Sequence, residues 1–259
     1  MVPFRTRRHL PDHDHPAHRA HRPQRPPAQA LTGGAVSGPP CPLCAAPAAT
    51  PFAEHDARRY WRCARCETTF VDPAQLPARA DELREYALHR NDPDDAGYRA
   101  FLARLTEPLL ARLASASRGL DYGCGPGPAL AAMLRAEGHQ VALYDPLFAA
   151  DEAVLRATYD FITCTEVAEH FHRPAEEFAR LDTLLAPGGW LALMTTFLPD
   201  GCNFARWHYR RDPTHVVFYR PPAFHYLAAR HGWECEIPRD NVVLMRKPLL
   251  PPSSRRGRA

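Results

Sequence analysis

The chain has 259 residues, enough for one α/β domain of ordinary size plus a small appendage. Its hydrophobic fraction of 45% suits a globular protein, and no run of about 18 apolar residues exists to cross a membrane. The net charge of +3 is unevenly spread. Residues 1–40 hold six Arg against two Asp, and residues 246–259 hold five Lys/Arg and no acid, which leaves a body of 21 basic against 27 acidic residues. An acidic body argues against a broad nucleic-acid-binding face.

In chain order, residues 1–40 form an Arg/His/Pro-rich arm with no apolar core of the secretory kind. Its prolines at 3, 11, 16, 23, 26 and 27 spoil an amphipathic targeting helix, so the arm is expected to be disordered. Residues 41–72 carry two CxxC pairs, and 73–93 read as a Pro/Ala-rich linker. From about Asp94 to Ser117, apolar residues such as Leu102, Leu105 and Leu109 recur at helical spacing, with Gly119 expected to end that helix. Strand 120–123, helix 128–137, strand 140–144, strand 159–164, helix 174–185 and strand 190–196 follow, the last after a Pro187-Gly188-Gly189 turn. Helix 221–231 and strands 233–237 and 241–246 complete the pattern, the two strands as an antiparallel hairpin at the sheet edge. Residues 248–259 form a basic tail. Alternation of strand and helix predicts a doubly wound, mostly parallel α/β sheet, Rossmann-like, with a small N-terminal zinc ribbon.

The stretch Leu120-Asp121-Tyr122-Gly123-Cys124-Gly125-Pro126-Gly127 places a GxGxG turn between a strand and a helix. Glycines there let a ligand approach bare main chain at a helix start. Asp145 ends the next strand and is placed to accept hydrogen bonds from ribose hydroxyls. A dehydrogenase fingerprint would need a further glycine at Pro128, so the adenosine belongs to another cofactor. With Tyr159-Asp160 opening a strand, Thr163-Cys164-Thr165-Glu166-Val167-Ala168-Glu169-His170 and Leu185-Ala186-Pro187-Gly188-Gly189, the chain resembles the class I S-adenosylmethionine-dependent methyltransferases over roughly residues 95–246. It looks most like the ubiquinone-type O-methyltransferase branch, so 94–247 is expected to be the methyltransferase domain.

The resemblance implies roles. Gly123, Gly125 and Gly127 would line the methionine and ribose portion, with Asp121 near the methionine amine, Asp145 on the ribose and Thr165 touching the cofactor. Because a sulfonium is already a good leaving group, the protein has chiefly to position an acceptor and remove its proton. His170 fits the place of a base. Asp212 could orient His215 as a second, within an aromatic stretch (Phe204 to Tyr219) that would be an acceptor pocket or a lid core. Glu166, Glu169 and His170 would share one face if that segment is helical and could hold a divalent ion. The resemblance associates such a run with magnesium, while a base with solvated glutamates is the other reading.

Cys41, Cys44, Cys63 and Cys66 are spaced for a closed tetrahedral zinc site, structural rather than catalytic. The remaining four cysteines are scattered, and cysteine usage overall points to a reducing interior, the cytoplasm. The expected function is methyl transfer from S-adenosylmethionine to a small molecule, such as a phenol or quinone, sugar, lipid or natural-product intermediate. RNA methylation, and a non-catalytic binding protein built on the same scaffold, stand as alternatives. No membrane span is expected, a nucleic-acid partner is not favoured, and nothing in the sequence sets the oligomeric state.

Overall fold

The computed structural model describes residues 38–87 and 92–249. The expected arm up to residue 37 and the tail from residue 250 lie outside the described residues. Strands β1 (Thr50–His55) and β2 (Arg58–Arg62) form a hairpin, and β3 (Thr69–Val71) pairs with β2. The hairpin turns at Asp56 and Ala57, both left-handed with φ of 51° and 59°, the twist that a two-residue connection needs. Helix α1 (Arg79–Tyr86) lies within the stretch read as linker. Helix α2 (Ala96–Leu110) starts where Asp95 accepts a hydrogen bond from the Tyr98 amide.

The α/β body continues as β4 (Arg118–Tyr122), α3 (Ala129–Ala136), β5 (Gln140–Tyr144), β6 (Tyr159–Thr165), α4 (Pro174–Leu184) and β7 (Leu185–Met194). Strand β8 (Val217–Phe218), α5 (Pro221–His231), β9 (Glu234–Arg239) and β10 (Val242–Arg246) end it. Two expectations change. Helix α2 ends at Leu110, so Gly119 does not cap it but sits inside β4, and the Pro-Gly-Gly segment belongs to β7. Gly119 is required by packing: a Cβ there would lie 2.1 Å from the ring of Phe161, which is fully buried.

The large sheet has the order β5-β4-β6-β7-β10-β9. Pairs β4–β5, β4–β6 and β6–β7 are parallel, whereas β10 is antiparallel to β7 and forms the edge hairpin with β9. Strand β7 shows why both faces need cover. Trp190, Ala192 and Met194 pack with Leu105 and Leu109 of α2 and Leu134 of α3, while Leu191 and Leu193 pack with Phe178 of α4 and Phe224 of α5. The chain leaves β4 to one side for β5 and to the other for β6. The carboxyl ends of β4 and β6 therefore flank the point where strand order reverses, the place where such sheets bind ligands.

The cysteine unit is not a separate body. A second sheet, β1-β2-β3-β8, takes its last strand from the segment between β7 and α5, with Thr69 opposite Phe218 and Phe70 opposite Val217. Tyr60, Phe204 and Phe218 pack edge to face or tilted across the junction, within one apolar core. Gly119→Ala is expected to destabilise the fold by about 2 kcal/mol, the usual cost of overpacking, in urea titrations. An unchanged midpoint would show that the β4–β6 contact is looser than described.

Candidate active site

Backbone and side-chain contacts shape the loops after β4 and β5. The Gly123 and Cys124 amides both donate to the Tyr144 carbonyl, at 2.7 and 3.2 Å, which folds the loop over the end of β5. Gly123 has φ of 80°, and a Cβ there would meet Val167 at 2.4 Å, so no side chain is tolerated. Asp145, next along the chain, accepts at Oδ2 from the Gly125 amide (3.0 Å) and at Oδ1 from the Leu147 and Phe148 amides (2.8 and 3.1 Å). A carboxylate offers about four acceptor positions, so the two loops together take three and one remains for a ligand. Asp121 is buried and accepts from the Thr163 hydroxyl at 2.8 Å. Burial pushes its pKa up to about 6.

Asp121, Gly123, Gly125 and Asp145 line one cavity of about 1020 Å³, together with Gly127 and Thr165. The Thr165 hydroxyl is shielded from solvent and has no hydrogen-bond partner. The cavity continues past Tyr122, Phe171 and Arg180 to a second end walled by Tyr86, His170, Tyr209, Asp212 and His215. The Tyr122 hydroxyl donates to Glu177 at 2.5 Å and accepts from Arg180 at 3.1 Å, which fixes the wall between α4 and β4. Helix α1 closes one side: Glu82 pairs with His172 at 2.8 Å, and the Tyr86 ring stands edge-on to His170, 5.2 Å between centroids.

The segment after β6 departs from the expected helix. Glu166 is left-handed, with φ of 52°, and a short 3-10 turn spans Ala168–His170. A non-glycine residue in that conformation is strained, so the surroundings must hold it there. Glu166, Glu169 and His170 therefore share no helical face, and Glu166 does not join the other two as a donor. Instead the two carboxyls meet at the phenol of Tyr209, 2.6 Å from Glu169 and 3.2 Å from Glu166. One phenol proton serves one carboxylate, and the shorter contact assigns it to Glu169. Burial first, then the charge of Glu169, push the Glu166 pKa up to about 9, so Glu166 carries its own proton.

The groups that do converge are Glu169, His170 and His215, whose donor atoms all lie within 4.8 Å of one another. His170 Nδ1 is 3.1 Å from the Thr214 carbonyl and His215 Nδ1 is 2.7 Å from the Tyr209 carbonyl. A carbonyl only accepts, so in each ring Nδ1 holds the proton and Nε2 the lone pair. Asp212 faces His215 with Oδ2 3.7 Å from Nε2, too long for a hydrogen bond, while its Oδ1 accepts from the Thr214 amide and hydroxyl. The sequence offered no signal for Tyr209 as the hub, nor for α1 as a wall.

At the other sheet, Cys41, Cys44, Cys63 and Cys66 come together, buried, with Sγ separations of 3.6 Å (Cys41 to Cys66) and 3.4 Å (Cys44 to Cys63). Those distances are too long for disulfides. Both CxxC turns have one design. The Ala45 amide returns to the Cys41 carbonyl and the Glu67 amide to the Cys63 carbonyl, and Ala45 and Glu67 are both left-handed. The unit is zinc-ribbon-like, and four sulfurs that close suit a tetrahedral ion with no open position.

A crevice of this size at the switch point, floored by bare main chain and one carboxylate, defines a nucleotide-cofactor enzyme of the α/β class. A family model described as methyltransferase domain matches residues 95–236, over half of the chain, and the chain belongs to that family of methyltransferases. Among solved structures it is similar to a 1,6-didemethyltoxoflavin N1-methyltransferase of Burkholderia thailandensis with bound 1,6-didemethyltoxoflavin and S-adenosylhomocysteine. Identity is 20% over 76% of this chain and 99% of that one, with a TM-score of 0.46. It is also similar to an O-methyltransferase family protein from the same organism (16% identity, 57% and 56% of the chains, TM-score 0.42). A third is CalO1, a methyltransferase in calicheamicin biosynthesis, in its S-adenosylhomocysteine-bound form (17%, 66% and 63%, 0.40). No curated protein sequence matches the chain.

Glu166 holds its proton more tightly folded than unfolded, so the native state binds more protons between its ordinary value of 4.5 and about 9. Stability should then fall as pH rises through that window. Urea titrations are expected to show this fall in the intact chain and a shallower one in Glu166→Gln. Equal slopes would remove this carboxyl as the cause.

Proposed function

We propose that the chain transfers the methyl group of S-adenosylmethionine to a small-molecule acceptor held between α1, the turn after β6 and the segment 204–216. The observation that carries this reading is the continuous cavity, with a cofactor-like floor at one end and imidazoles at the other. Its volume lies at the upper end of the range for small-molecule sites, about 300–1,000 Å³, which leaves room for two ligands.

The residues fit the adenosyl donor. The last acceptor position of Asp145 faces a ribose hydroxyl, the orphaned Thr165 hydroxyl gains a partner, and buried Asp121 gains the ammonium of the methionine moiety. Gly123, Gly125 and Gly127 leave main chain for the donor to lie against. Bound there, the donor supplies an electrophilic methyl group, and the chain's own task is to orient the acceptor and ease loss of its proton. His170 and His215 do this at the far end, beside Glu169 and Asp212. Aromatic walls from Tyr86, Phe171 and Tyr209 suit a cyclic or partly apolar acceptor. The acidic body of the chain favours a small molecule over RNA.

The four cysteines hold a structural zinc ion, whose office is to fix β3 and, through it, β8. A donor set of four thiolates also supports a reducing compartment, the cytoplasm. No helix among the described residues is long and apolar enough to cross a membrane.

Isothermal titration is expected to show S-adenosylhomocysteine binding that Asp145→Ala weakens by about 1–3 kcal/mol, the cost of unpairing buried groups. No binding by the intact chain would defeat the proposal. Cys63→Ser is expected to lose one equivalent of zinc and about 10 °C of Tm, the shift that about 3 kcal/mol produces in a domain of this size. Retention of both zinc and Tm would show that the sulfurs hold no ion.

A further inference from the structure

The acceptor end contains more negative charge and lone-pair density than its hydrogen bonds satisfy. Glu169 is fully buried, and its Oε2 has no hydrogen-bond partner among the described residues. His215 is buried too, and its Nε2 faces the Asp212 carboxylate at 3.7 Å. With Nδ1 protonated toward the Tyr209 carbonyl, a neutral His215 would point a lone pair at a carboxylate. Two such groups facing each other repel unless a proton or a cation sits among them. His170 completes the set, its Nδ1 fixed on the Thr214 carbonyl. Backbone carbonyls that hold Nδ1–H in this way set the tautomer, with the lone pair on Nε2.

We propose that Glu169, His170 and His215 together bind one divalent transition ion of the zinc or iron(II) type, with open positions toward the cavity. Two imidazoles and one carboxylate suit that class, whereas magnesium prefers oxygen donors. The set differs from the run Glu166, Glu169 and His170, because Glu166 lies outside the group of donor atoms within 4.8 Å of one another and His215, from a segment far along the chain, lies inside it. It deepens the acceptor-side reading above and rests on it only for the ion's role. An ion at that point would take an acceptor oxygen and make its proton easier to lose. His170 and His215 would then serve the acceptor as ligands.

The test uses the full-length, untagged chain, stripped of metal and titrated with Co²⁺, with metal content counted and the visible spectrum recorded. Thiolate-bound Co²⁺ gives intense sulfur charge-transfer bands, and an imidazole–carboxylate site gives weak bands without them. The expected result is one equivalent in the sulfur site and a further equivalent with the weak spectrum. His215→Ala and Glu169→Gln should each weaken only the further one, by more than ~100-fold, since losing a ligand exceeds the usual cost of losing a supporting group. Glu166→Gln should keep it, and Mg²⁺ should not displace it.

Three results would overturn the proposal. One is an intact chain that takes only the sulfur-site equivalent. Another is a further equivalent that survives both His215→Ala and Glu169→Gln, as ions on the histidine-rich arm would. The last is an equivalent lost in Glu166→Gln and kept in His215→Ala. S-adenosylhomocysteine titration of each variant reports folding separately. Its failure in the intact chain would strike the cofactor reading and leave the metal count standing.

Discussion

Both backbone groups of Val216 are committed, and the end of the cavity that carries Glu169, His170 and His215 depends on them. Its carbonyl accepts from the Val71 amide at 2.9 Å, and its amide donates to the Glu169 carbonyl at 2.9 Å. One residue thus ties the last strand of the cysteine unit to the turn that carries Glu169 and His170, and His215 is its neighbour. The segment between β7 and α5 is long and has little regular structure, and ordering it is entropically expensive. Pairing β8 with β3 fixes it, and the buried Arg210 guanidinium, bonded to the Phe204 and Ala205 carbonyls and to Asp56, fixes it again. A four-sulfur staple needs few residues to make β3 a rigid template. That explains how so small a unit can hold up one wall of a cavity it barely touches.

The two ends of the cavity use opposite electrostatics. At the β4–β5 end, amides converge on one carboxylate, and the loop consumes most of that carboxylate's capacity, so the floor is preorganised before any ligand arrives. At the other end, carboxyls, a phenol and imidazoles crowd together, with Glu169, Tyr209 and His215 buried. Tyr209 mediates there, with its single proton going to Glu169, while burial and the charge of Glu169 favour the protonated form of Glu166, whose backbone is left-handed. A neutral Glu166 also lowers the repulsion that two buried carboxylates so near each other would suffer.

The body's alternation of apolar strands and amphipathic helices was legible because burial on both faces of a sheet forces it. Residue patterns placed β4, β5, β6 and α5 to within a residue or two, and the glycine turn with Asp145 emerged where strand order reverses. The shorter pieces were not legible. Helix α1 has no buried residue and a weak apolar stripe, so nothing in its composition distinguished it from linker. The 3-10 turn after β6 follows from the strained Glu166, which no local periodicity encodes.

Local chemistry in the sequence determined the sulfur cluster and the cofactor floor, since their donors lie on short turns whose spacing fixes the geometry. Tertiary structure alone decided the acceptor end. Glu169 and His170 come from the end of β6, Tyr209 and His215 from a segment far beyond β7, and Tyr86 from α1. Side chains that distant in sequence meet only because β8 is drawn onto β3, and no pattern within either segment records a pairing made by the other.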